Sequence, residues 1–144
     1  MSPIDARWQP DVRARRLLAA ALAFAVGLHL YGLYTPAEPG GVELFAHADK
    51  VLHFLGFAVP SVLAVLLTRH WWPIAVFAGN AVLSEIAQHL WLPGRDGDLT
   101  DVAADLLGLL PALALYRWGQ ARSAATASSS PTRRTSAAPR RPNE

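Results

Sequence analysis

Apolar runs alternate with short polar connections along this chain, and each run is long enough to read as a helix that crosses a hydrocarbon core. The first, residues 17–34, follows Arg7, Arg13, Arg15 and Arg16 and contains no acid, lysine or arginine. At about 1.5 Å per residue it reaches about 27 Å. It exceeds the apolar segment of a signal peptide and no convincing small-x-small cleavage site follows it, so a retained transmembrane helix is expected. Residues 35–50 form a loop marked by Pro36, Pro39, Gly40 and Gly41, with the run 42–46 expected along the membrane surface. A second span covers 51–68, with Pro60 near its middle, where a neighbouring group must satisfy the freed carbonyl. Arg69-His70-Trp71-Trp72-Pro73 then supplies interfacial tryptophans and a proline suited to the first turn of a third span, 72–92. A turn at 93–98 leads to a fourth span, 99–118. Short connections make successive helices antiparallel neighbours. The pattern predicts an all-α, four-helix integral membrane bundle over 17–118. It lies between a basic segment, 1–16, and a disordered basic tail, 119–144, too poor in large apolar residues to fold.

Composition changes this picture little, because the 52% apolar content is near a soluble average until its distribution is considered. Charge adds orientation. With the N-terminus in the cytoplasm, eleven arginines fall on that side and only Lys50 and Arg95 on the other. That asymmetry predicts both termini inside. The arginines are not interleaved with stacking aromatics, so nucleic-acid binding is not expected. Without cysteine there is no disulfide framework, thiolate metal site or thiol nucleophile. Arginine dominates over a single lysine, a weak compositional pointer to a GC-rich bacterial genome.

Ionisable residues inside such spans need a reason, since each costs about 2.5 to 3.5 kcal/mol at the bilayer centre. Glu85 and Asp105 lie about 10 Å and about 9 Å below the outer ends of their helices, level with each other. Helical spacing then gives three polar stripes: Asp49, His53, Gly56 and Pro60; Glu85, Gln88 and His89; Asp101, Asp105 and Gly108. The stripes should face one another or a pocket open to the outside. Asp49, Asp98 and Asp101 suit helix starts, and capping is favoured over chemistry for them. Glu85 and Asp105 are too deep for that, which leaves a functional pocket against a structural hydrogen-bond network. His29 and Asn80, each standing apart, suit interhelical hydrogen bonds, and Gly56, Gly79 and Gly108 suit close helix approach. His53, Glu85, His89, Asp101 and Asp105 include possible metal ligands, but without a His-Glu-x-x-His or comparable motif no metal or cofactor is assigned. A nucleophile elbow, a P-loop and a dinucleotide fingerprint are also missing.

Three segments in order, Asp49-Lys50-x-x-His53-Phe54-x-x-Phe57, Glu85-x-x-Gln88 and Pro93-Gly94-Arg95-x-x-Asp98-x-x-Asp101-x-x-Ala104-Asp105-x-x-Gly108, resemble the VanZ-like family of small bacterial membrane proteins. The resemblance covers roughly residues 45–118. It departs at Asp105, where many members have Asn, and at Pro111-Ala112, where a further small residue often follows. It implies a multi-helix domain in the bacterial plasma membrane with a link to envelope or antibiotic tolerance.

Three uses of the pocket follow. In the first, it binds an envelope lipid or glycopeptide-type ligand: Lys50 and Arg95 contact phosphate or carboxylate while Glu85, Gln88, Asp101 and Asp105 orient it, with Asp49 also among the binding residues. In the second, it is an intramembrane transferase or hydrolase for a lipid-linked substrate, with Glu85 or Asp105 as general acid or base and His53 as proton shuttle. In the third, the protein is a structural or partner-binding element whose tail touches anionic lipid. A transporter ranks lower, since four short helices show no internal repeat.

Overall fold

The computed structural model describes residues 11–36, 45–95 and 97–128. Arg7, most of the 42–46 run and the tail beyond Ser128 lie outside them. Among the described residues five helices are formed: α1, Val12–Tyr34; α2, Ala48–Thr68; α3, Trp72–Trp91; α4, Leu99–Gly108; and α5, Leu110–Ser128. Local chemistry accounts for the ends. Asp11 accepts from the Arg13 N–H to start α1, and Asp98 accepts from the Thr100 N–H at 2.8 Å to start α4. Pro73 occupies the first turn of α3, as expected from its missing N–H. Arg69 closes α2 in a left-handed conformation, φ 61°, with its N–H on the Val65 carbonyl.

The fourth expected span divides in two. Leu109 donates back to Leu106 and Leu107, and Pro111 has no N–H with which to continue the ladder from Leu107. The helix resumes as α5 and runs to Ser128, so residues 119–128 are helical where the sequence led us to expect tail. The alanines of that stretch favour helix, the Ser123 and Thr126 hydroxyls donate to carbonyls four residues back, and Arg122 stacks 4.1 Å from the Trp118 ring centroid.

Polarity is inverted relative to a protein folded in water. Phe24, Leu28, Leu52, Val76, Leu83 and Leu107 point outward, while Ser61, Ser84, Glu85, Gln88, Asp101 and Asp105 are buried. Such an apolar exterior is costly against water and suited to acyl chains. Val12–Tyr34, Ala48–Thr68 and the joined α4–α5 segment are long and apolar enough to cross a membrane. α3 is 20 residues long but carries Asn80, Ser84, Glu85, Gln88 and His89, which lower its apolar character. The chain is thus an all-α bundle of apolar helices of membrane-spanning length.

α2 is the central helix and packs most extensively on α4 and α1. A Cβ on Gly108 would stand 2.5 Å from the Phe54 carbonyl oxygen, so glycine is what lets α4 lie against α2. Gly79 has nothing within 4 Å of a Cβ and Gly56 has only an ordinary contact with His29, so the expected close approach holds at Gly108 alone of the three. The His29 ring meets the edges of Phe57 and Phe77, its Nε2 accepts from Asn80 Nδ2 at 3.1 Å, and the Tyr34 hydroxyl donates to Asn80 Oδ1. The two residues that seemed isolated in sequence are therefore partners between α1 and α3. Gly56, whose carbonyl Pro60 leaves without a helical donor, lies against the same imidazole, with His29 Nδ1 3.5 Å from where its Cβ would stand.

Candidate functional site

The C-terminus of α1, the N-terminus of α2, the C-terminus of α3 and the N-terminus of α4 meet at one end of the bundle. The polar stripes converge just inside it. At the rim, Lys50 Nζ is 3.0 Å from Asp49 Oδ2, 3.0 Å from Asp98 Oδ2 and 2.6 Å from Asp101 Oδ1. The Thr100 hydroxyl and amide, with the Lys50 ammonium beside them, hold the Asp98 carboxyl well below the usual carboxylate range. Asp98 is thus both the cap of α4 and a link to α2.

One turn deeper, His53 Nδ1 lies 2.9 Å from Asp105 Oδ1, and its Nε2 lies 3.9 Å from Asp101 Oδ2. A carboxylate accepts, so the ring presents Nδ1–H to Asp105 and leaves Nε2 for other work. From α3, Glu85 Oε2 accepts the Asp98 N–H at 2.8 Å. Three side-chain atoms here are buried without a partner: Glu85 Oε1, Asp105 Oδ2 and Gln88 Nε2. One ligand atom each from His53, Glu85 and Asp101 lies within 4.8 Å of the others. Sequence spacing did not single out Gly97, yet a Cβ there would come within 2.8 Å of the Glu85 carbonyl oxygen, so glycine lets the turn reach α3.

Two expected members lie elsewhere. His89 is exposed and borders a groove of about 370 Å³ between α3 and α4, which Glu85 also lines. Arg95 turns away from the acids: its Nε donates to the Thr35 carbonyl at 3.0 Å and its Nη2 to Gly32 at 2.8 Å. It thereby caps the unpaired carbonyls at the end of α1.

Between α1 and α2 lies a cavity of about 550 Å³. Leu28, Leu33, Leu52, Leu55 and Val59 supply its apolar walls, while Asp49, His53 and Arg95 stand at the rim end. His53 therefore borders the cavity and the acidic cluster at once. The cluster can exchange protons or hold a cation, and the cavity can take an apolar chain with a polar head. A scan of protein-family models finds no match to this chain, and comparisons with curated proteins and with solved structures find none either.

Proposed function

We propose that this is a VanZ-like, four-span membrane protein with both termini in the cytoplasm. It binds a membrane amphiphile of the envelope in the α1–α2 cavity, the polar head facing outward. The observation that carries the reading is the cavity itself, with apolar walls and with Asp49, His53 and Arg95 in its lining. Charge asymmetry supports the orientation, and the meeting of all three VanZ-like segments in one cluster supports the family. Lys50 is held among three carboxylates, so Arg95, with donors beyond those given to α1, is the cation available to an anionic head. A photoreactive phospholipid analogue in membranes should label Leu28, Leu52 and Leu55 more strongly than Phe24 and Leu83, which are at least as exposed but lie outside the cavity, and an excess of unlabelled envelope lipid should suppress that difference. Labelling spread evenly over the outer faces of α1 and α3 would remove the cavity from the account.

The His53–Asp105 pair favours a second reading, in which His53 Nε2 is a general base for a lipid-linked substrate. Turnover of such a substrate lost in His53→Gln, with amphiphile binding retained, would select it.

A further inference from the structure

Five acids, Asp49, Glu85, Asp98, Asp101 and Asp105, gather around Lys50 and His53. The inner members are withdrawn from solvent: Glu85 is 6% exposed, Asp101 8% and Asp105 0%. Buried carboxylates beyond those a base can pair must take up a proton or a cation. The bonds already made leave specific atoms unused. Glu85 spends Oε2 on the Asp98 amide and keeps Oε1, and His53 spends Nδ1 on Asp105 and keeps Nε2. Asp101 spends Oδ1 on Lys50 and turns Oδ2 towards His53 Nε2.

We infer that His53, Glu85 and Asp101 form a binding site for one divalent transition-metal ion, with Asp105 as the positioning residue that fixes the His53 ring. One ligand atom from each residue lies within 4.8 Å of the others, His53 Nε2 is 3.9 Å from Asp101 Oδ2, and the three residues come from α2, α3 and α4. A tetrahedral ion with bonds of about 2.0–2.2 Å separates its ligands by about 3.3–3.6 Å. Small side-chain rotations close that gap. An imidazole nitrogen with two carboxylates, and no thiolate, suits zinc, cobalt or manganese better than magnesium or calcium. Asp105 on Nδ1–H is the carboxylate that orients a metal-binding histidine and raises its basicity. The dication offsets Glu85 and Asp101, and Lys50 offsets the acids at the rim, where it meets Asp49 and Asp98. The inference does not depend on an amphiphile in the α1–α2 cavity.

The test is a cobalt titration of the full chain in lipid-free detergent after chelator treatment, read by visible absorption. Wild type should bind one Co²⁺ per chain, with ligand-field bands that Zn²⁺ abolishes. Asp105→Asn should weaken binding about tenfold to a hundredfold, and Glu85→Gln and Asp101→Asn at least as much. Asp101→Cys supplies a gain of signal, a near-ultraviolet thiolate-to-cobalt band, that loss of fold cannot mimic. Absence of bands in wild type, binding indifferent to the Glu85 and Asp101 substitutions, or cobalt bound to folded Asp101→Cys without the new band would each overturn the site. Because lipid is absent, none of these results bears on the cavity reading.

Discussion

His53 on α2 and Asp105 on α4 are joined by a 2.9 Å hydrogen bond, 52 residues apart in sequence, and the carboxyl is wholly buried. Lys50 with Asp98 and Asp101 ties the same two helices one turn nearer the rim. The polar side chains therefore hold α2 to α4 and define the candidate site together.

Replacing Asp105 by Leu leaves the His53 N–H buried without an acceptor. Stability in detergent should fall by about 1–3 kcal/mol. Asp105→Asn, whose amide oxygen can still accept, should lose less. Thermal unfolding of the two variants checks the order, and equal losses would remove the hydrogen bond as the cause.

Gly108→Ala places a methyl group where the Phe54 carbonyl and Phe57 Cβ already stand. The α2–α4 contact must open, at about 1–3 kcal/mol for overpacking. Gly79→Ala faces open space and should be neutral or slightly stabilising. Parallel unfolding curves for the two alanines distinguish crowding from a general intolerance of glycine replacement.

His29 and Pro60 should be energetically coupled through the Gly56 carbonyl. His29→Leu removes the imidazole packed beside Gly56 and the acceptor of the Asn80 amide nitrogen. Pro60→Ala restores a helical N–H to the same carbonyl. In a double-mutant cycle, Pro60→Ala should recover part of the His29→Leu loss, giving a coupling of about 0.5–1.5 kcal/mol. Strict additivity would show that the two residues act separately.

Asp98 should titrate below the ordinary aspartate value of about 3.9. Its carboxyl is depressed in the folded chain, first by Thr100 and then by Lys50. The stability it contributes is present above the unfolded value and is lost as pH falls through the folded one. Carboxyl carbon shifts followed by NMR should show Thr100→Val raising the midpoint more than Lys50→Gln. An ordinary midpoint in wild type would mean that the cap does not form.

The helical runs were legible in sequence because unbroken apolar stretches leave few alternatives. Convergence of Glu85, His53 and Asp105 was legible because depth and helical spacing can both be counted along a chain. The break at Leu109 depends on one missing N–H at Pro111, which an apolar tally overlooks. α5 ran past the expected boundary because alanine-rich helix needs no large side chains. The bonds from Arg95 to the Gly32 and Thr35 carbonyls were not legible, because sequence does not show which helix ends beside it. The His53, Glu85 and Asp101 grouping leaves no spacing motif, since its members come from three different helices.

The amphiphile reading is tested most directly by native mass spectrometry of the protein released from membranes, wild type beside Gly32→Phe. Gly32 lines the α1–α2 cavity and has nothing within 4 Å of a Cβ, so a larger side chain can be started there without a clash at its first atom. The account predicts a discrete added mass of envelope lipid on wild type that is lost from folded Gly32→Phe. The same added mass on both proteins, or none on wild type, would contradict it.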